Sequence, residues 1–485
     1  MSLGVWRAVL FAGVFAAAAA PALRAGTASA PADPTNVLLI TVDDMDYGSL
    51  GVTGCPLRDI TPHIDQLAAG GVLFTHAHVN VAVCQPSRSV LMTGRYPCRN
   101  GAVGFGPIRE DVPTLGEVLH AAGYELGVLG KVKHLTPEYK YCWDMSLKSA
   151  VFAKGRDPEK YYAHTAAFLD SARRAGKPFF LMANAIDPHR PFPGSPDEAA
   201  RQSRTHIVWP GASRWFKPDE VPVPGFLPDL PIVRQDLAAY FAAVHRADET
   251  VGAVLRALRE SGLEKNTLVM FMSDNGVGFP FAKRNCYEVS TRTPWIARWP
   301  DRADAGRRDE EHMISGVDLM PTVLEALGLR APDGMDGRSF VPLLRGERQT
   351  GRDRVFTMFD VTLEGGKYPM RCVRERGVSY IYNAWADGKN EFRSEREKTT
   401  ASEHALAYAA GTDPALAARF RMLRFRAREE LYDLARDPFE LTNRVSDPAC
   451  AGALRRMRAE LLRFMERTGD PLLAKYKGDV PPEAP

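Results

Sequence analysis

The chain has 485 residues, 45% of them hydrophobic and 25% charged, enough to bury more than one core usually serves, so two domains are expected. Its 62 Lys and Arg against 59 Asp and Glu give a formal net charge of +3, with no charge run of the kind nucleic-acid binders carry; no nucleic-acid partner is expected. The seven cysteines (Cys55, Cys84, Cys98, Cys142, Cys286, Cys372, Cys450) are too sparse and irregular for a disulfide scaffold or a C-x-x-C zinc site.

In chain order, Arg7, the apolar run Ala8 to Ala20 and the small residues Thr27-Ala28-Ser29-Ala30 predict a secretory signal over 1–30 and export. That run is shorter than the roughly 20 residues a bilayer span needs, so no stable membrane span is expected. Export makes an unpaired cysteine a liability unless it is buried or chemically consumed, and the odd count leaves at least one. Next, Asn36 to Val42 is continuously apolar and β-branched, which predicts a parallel strand buried on both faces; it ends on Asp43-Asp44. Thr61 to Ala69, opening on Thr-Pro, and Thr114 to Ala122 read as helices. Pro178 to Ala183 predicts a second buried strand leading to Asp187-Pro188-His189. Leu237 to Ser261 is helical, and Thr267 to Met272 is a third strand running into Ser273-Asp274-Asn275-Gly276. Ligands of open α/β sheets bind outside the carboxyl ends of the strands, so the three polar clusters can converge. From about Gly346 the texture changes to shorter strands, Arg354 to Met358 and Gly377 to Tyr382, then a basic helical stretch and a terminal helix over Ala451 to Arg467. The expected division is therefore an α/β domain over 31–345 and a smaller α+β domain over 346–485.

Cys84-Gln85-Pro86-Ser87-Arg88 followed by Leu91-Met92-Thr93-Gly94-Arg95 resembles the formylglycine signature of the type I sulfatases. The resemblance implies an alkaline-phosphatase-like large mixed sheet flanked by helices, with a smaller C-terminal antiparallel sheet plus helix. It also implies that a formylglycine-generating maturation enzyme converts Cys84 to 3-oxoalanine (formylglycine), whose hydrate supplies the nucleophilic oxygen. Asp43, Asp44, Asp274 and Asn275, with Cys84, resemble the family's calcium ligands, and hard oxygen donors suit calcium or magnesium rather than zinc. Gly130-Lys131-Val132-Lys133-His134 resembles the family's Gly-Lys-x-His element with one extra residue. It assigns Lys131 to the sulfate oxygens, with Lys133 able to take that place, and His134 to the formylglycine hydroxyl. His189 resembles the family's histidine at the leaving atom, and Lys283 stands where the family has a sulfate-binding Lys or Arg. Arg88 completes a cationic set around developing charge on the sulfate.

Within the family, Asp187-Pro188-His189-Arg190, Tyr368-Pro369-Met370-Arg371 and the tail from Glu430-Leu431-Tyr432-Asp433 through Asp437-Pro438 to Glu440 and Asn443 resemble the heparan N-sulfatase branch. That branch implies N-sulfoglucosamine as substrate, with Arg190, Tyr368 and Arg371 binding the saccharide. The Lys131 to His134 spacing and Lys283 in place of arginine depart from it, which keeps an iduronate-2-sulfatase type of O-sulfatase open. The same residues are also compatible with a phosphomonoester or phosphonate hydrolase of the same superfamily, and with a sulfoglycan-binding protein whose Cys84 stays unmatured. The exported destination is periplasmic, secreted or lysosomal according to the host.

Overall fold

The computed structural model describes residues 35–393 and 401–480, so the expected signal segment lies outside the described residues. Strand β1 (Asn36–Val42) is buried along its whole length because both faces of its sheet are covered. Val37 and Leu39 enter one apolar cluster and Leu38, Ile40 and Val42 the other, as the period of two along a strand requires. Each such side chain contributes about 1.5–3 kcal/mol on full burial.

The other strands of this sheet are β2 (Val72–His78), β3 (Glu125–Leu129), β4 (Met145–Leu147), β5 (Phe179–Asn184), β6 (Thr267–Ser273), β7 (Trp295–Arg298) and β8 (Arg307–Ser315). Their order is β4-β3-β5-β1-β6-β7-β2-β8. Pairing is parallel from β4 through β6, antiparallel on both sides of β7, and parallel again between β2 and β8. The three strands expected from the sequence are thus the adjacent trio β5-β1-β6. Helices Pro158–Ala175 and Pro231–Glu260 pack on one face, through residues such as Phe168, Leu169, Val244 and Val251. Helices Leu115–Ala121 and Leu319–Ala326 cover the other. The long helix begins at Pro231, before the expected Leu237, because a proline at the first helical position has no N–H to leave unsatisfied.

The second sheet is antiparallel, with order β12-β11-β10-β9, built from β9 (Arg354–Val361), β10 (Lys367–Glu375), β11 (Val378–Asn383) and β12 (Glu429–Asp433). It carries helix Ala451–Thr468, whose Met457, Leu461 and Phe464 share an apolar cluster with Tyr380, Tyr382 and Met358. The same cluster takes in Val83, Val90 and Tyr96, which flank or belong to the helix that starts at Cys84. Among the described residues no helix is long and apolar enough to cross a membrane.

Candidate active site

Four adjacent strands end at one place. β1 delivers Asp43 and Asp44, and β6 delivers Asp274 and Asn275. β3 runs into Gly130-Lys131, and β5 ends on Asn184 and leads to His189. Consecutive strand residues point to opposite faces, yet the side chains of Asp43 and Asp44 both reach the cluster: Asp44 sits at φ 65, a left-handed turn that breaks the alternation. Gly130, at φ 73, is needed for a similar reason, since a Cβ there would lie 2.4 Å from the Asn184 carbonyl oxygen.

Cys84 is the first residue of helix Cys84–Thr93, at its positive end. Its Sγ lies 4.0 Å from Asp43 Oδ2 and accepts from Lys283 Nζ at 3.3 Å. Burial pushes the thiol up to about 11, Lys283 opposing and Asp43 and Asp274 reinforcing the shift, so the cysteine as encoded is a protonated, poor nucleophile near neutral pH. One turn along, Arg88 is fully buried. Its Nη2 donates to Asp43 Oδ1 at 2.7 Å and to Asp274 Oδ2 at 2.9 Å, and its Nη1 to Thr41 Oγ1 at 2.7 Å and Asn184 Oδ1 at 2.5 Å. Arg88 therefore orients the carboxylates and does not face the cavity.

The acids divide by their surroundings. Against the rise that burial causes, Lys131, a hydrogen bond with Asp274, Arg88 and His189 hold Asp43 well below the usual carboxylate range. Asp44 is likewise held at about 2 by Lys283 and His189, against burial and Asp43. Asp274 is raised well above that range by burial and by Asp43. Asn275 donates its Nδ2 to Asp44 Oδ1 at 2.8 Å, while its Oδ1 is buried with no donor. An orphan carbonyl oxygen among three crowded carboxylates fits a hard, oxygen-preferring cation such as calcium or magnesium. Donor atoms of Asp44, Cys84 and Asp274 lie within 4.8 Å of one another, as do those of Asp43, Cys84 and His189.

Of these groups, Cys84 and His189 line a cavity of about 470 Å³, within the range of small-ligand sites, while the carboxylates lie behind them. Lys131, ion-paired with Asp43, and Lys283, whose Nζ donates to Asp44 Oδ1 at 2.6 Å, both line it. Burial lowers Lys283, but Asp44, Cys84 and Asp43 raise it further, so it stays an ammonium. Lys133 is exposed and not part of the lining. His134 lines the cavity with its Nδ1 buried and unpartnered, and burial with Lys131 and Arg88 holds it well below the ordinary imidazole value. It is thus a neutral base. His189 Nδ1 donates to the Arg190 carbonyl at 2.5 Å, which leaves Nε2 facing Asp44 Oδ2 at 3.9 Å.

The three residues expected to bind saccharide fare differently. Arg190 lines the cavity, but its guanidinium is paired with Asp236 at 2.8 Å and stacked 4.1 Å over Phe192. Arg371 is fully buried on Asp470 and Asp360, and the Tyr368 hydroxyl donates to the Glu391 carbonyl at 3.2 Å beside Trp385 and Phe392. Neither Tyr368 nor Arg371 lines the cavity, contrary to the substrate role expected for them: both belong to the second sheet, where their polar ends are paired within the protein. Sequence reading missed Ser149, which lines the cavity and whose Oγ accepts from Lys131 N at 3.1 Å. It also missed Thr41 and Asn184, the polar ends of two apolar strands. The polar breaks themselves were the available signal for that pair; Ser149 has none.

Residues 35–329 match the family model described as Sulfatase. N-sulphoglucosamine sulphohydrolase of Homo sapiens is 31% identical over 479 residues, covering 92% of this chain and 93% of that protein. An ulvan-active sulfatase of Formosa agariphila is 27% identical over 447 residues, covering 91% and 82%. A solved structure from work on glycosaminoglycan metabolism by Bacteroides thetaiotaomicron superposes with a TM-score of 0.71 at 20% identity, covering 93% of this chain and 100% of that one.

Proposed function

We propose, from the premise that this chain belongs to the sulfatase family of sulfuric ester hydrolases, that it removes sulfate from sulfated saccharides and that its substrate is a terminal N-sulfoglucosamine of heparan type. The observation that carries the reaction is the convergence on Cys84 of two ammonium groups, Lys131 and Lys283, and two imidazoles, His134 and His189, at the floor of one cavity. The likeness to the human N-sulphoglucosamine sulphohydrolase, which extends along 92% of this chain, supports the choice of sugar.

In this reading Cys84 is matured to formylglycine by a formylglycine-generating enzyme, and Asp43, Asp44, Asp274 and Asn275 with the matured side chain hold calcium, or magnesium in its place. When bound, the cation would supply Lewis acidity, and the hydrated aldehyde would supply an oxygen nucleophile. The chain's own groups do the rest. Lys131 and Lys283 bind the sulfate oxygens and stabilise charge that develops on them. His134, neutral and with a free ring nitrogen, takes up a proton at the nucleophile. His189, its Nδ1 fixed by a backbone carbonyl, holds a proton on Nε2 for the leaving nitrogen as the S–N bond breaks. Arg88 keeps two of the cation-binding carboxylates in place. We also propose export to the periplasm, the medium or the lysosome according to host, and a division at residue 345 between the catalytic and C-terminal domains.

Peptide mass analysis of the Cys84 region from the native host, with a side-by-side assay of N-sulfoglucosamine, glucosamine-6-sulfate and a 2-sulfated uronic acid, tests this reading. The expected result is a formylglycine mass and N-desulfation. Preference for the uronic acid replaces the substrate with the iduronate type. Release of phosphate from phosphoesters without sulfate release makes the chain a phosphohydrolase. Unmodified cysteine with saccharide binding and no turnover makes it a sulfoglycan-binding protein.

A further inference from the structure

We infer that the same cavity contains a second anion subsite, formed by Lys154, Arg204 and the indole N–H of Trp209, which takes a second sulfate or carboxylate on the saccharide whose scissile sulfate sits at Cys84. The inference rests on the proposed function and narrows it to substrates with at least two negative groups.

The cavity lining includes eight Lys and Arg residues and no Asp or Glu. One sulfate does not need them all, and several are already committed: Lys131 to Asp43, Lys283 to Asp44, Arg190 to Asp236 and Arg156 to Asp187. Among the described residues, neither Lys154 nor Arg204 has a carboxylate partner. Trp209 is buried and lines the cavity, yet its Nε1–H finds no acceptor, and an indole nitrogen can only donate. Two cations without a carboxylate partner and a buried indole donor without an acceptor belong to the lining of this one cavity, and together they call for an anion.

The wall is built to hold them. Ala153, Lys154 and Gly155 lie in succession at φ 48, 61 and 82, a left-handed turn that is unfavourable at each non-glycine residue. Gly155 is required there, since a Cβ would come within 2.2 Å of Ile186 Cγ1. The turn is tied to the catalytic strand end: Ile186 N donates to the Gly155 carbonyl at 2.9 Å, and Arg156 donates to the carbonyls of Lys154 at 3.1 Å and His189 at 2.8 Å. Arg156 also stacks 4.2 Å over Trp209. Trp209 N in turn donates at 2.9 Å to Gln202 Oε1, on helix Pro196–Thr205, whose last turn carries Arg204. Lys154 and Arg204 are thus connected through Arg156 and Trp209 to the backbone of His189. A strained turn persists where its surroundings hold it, and such turns collect at ligand clamps.

The test uses the full-length matured enzyme with Lys154→Asn, which tolerates the left-handed backbone, Arg204→Gln, and the double variant. Three substrates are compared: glucosamine N-sulfate, glucosamine N,6-O-disulfate, and N-sulfoglucosamine joined to a uronic acid. The wild type is expected to prefer one of the two-anion sugars, and the arm it prefers identifies sulfate or carboxylate as the second group. In the double variant, kcat/KM for that sugar relative to glucosamine N-sulfate should fall about tenfold, through KM, as lost charge-assisted contacts predict. An unchanged ratio, or a wild type indifferent to the second anion, overturns the subsite. If no substrate releases sulfate, the functional reading fails separately; calorimetric binding of the disulfate to wild type and double variant then decides the subsite, equal affinities overturning it.

Discussion

Two groups of buried ions in this molecule look alike by burial and differ in use. At the second sheet, Arg371 pairs with Asp470 and Asp360, and Arg374 with Glu288 and Glu440; every acid of that group ends on an arginine. At the strand ends, Arg88 ties Asp43 to Asp274 just as tightly, but Asn275 Oδ1 and His134 Nδ1 are left over, and Cys84, Lys131, His134, His189 and Lys283 open to a cavity. Buried charge by itself marks structure. Leftover acceptors with an opening mark chemistry, because an unmet polar atom costs stability unless a ligand meets it.

The sharpest way to break the comparison is Cys84→Ala. Turnover should fall by about a thousandfold or more with the melting temperature nearly unchanged, since the side chain is small and supplies the nucleophile; sulfate release and a thermal melt on the same preparation check it. An alanine variant that keeps most of its activity sinks the assignment.

Next in size, Asp274→Ala should lower bound calcium and turnover together, by about a hundredfold or more in rate. Metal analysis beside kinetics measures this. Wild-type enzyme should lose activity on thorough chelation and regain it with added calcium, and activity that survives chelation removes the metal from the site.

Arg371→Met probes the other group. It strands Asp470 and Asp360 without their cation, which should cost about 3–5 kcal/mol of stability, while the folded enzyme keeps its KM. A large rise in KM at unchanged stability would restore Arg371 to the substrate. The smallest effect belongs to a pair exposed to water: Arg348→Gln, opposite Glu311, should change stability by no more than about 0.5 kcal/mol in denaturant melts.

Much of this was legible in the chain. Continuous apolar runs ending on Asp43-Asp44, Asp187 and Ser273-Asp274-Asn275 identified the three central strands and the end where the site lies, because a strand buried on both faces must be apolar throughout and can turn polar only where it leaves the sheet. The Cys84 to Arg88 motif pointed to the nucleophile by resemblance. Strands β2, β3, β4, β7 and β8 were not seen: β4 and β7 are very short, and β8 opens on Arg307-Arg308-Asp309-Glu310-Glu311, charges an edge strand can leave in water. What only the tertiary structure decided is the commitment of each charge. Arg88, Arg190 and Arg371 are equally cationic in sequence, but the first is consumed by Asp43 and Asp274, the second by Asp236 and the third by Asp470, whereas Lys154 and Arg204 meet no carboxylate among the described residues. A guanidinium's role depends on which carboxylates lie within about 4 Å, and those come from residues some 45 to 186 positions away, a separation that local pattern cannot bridge.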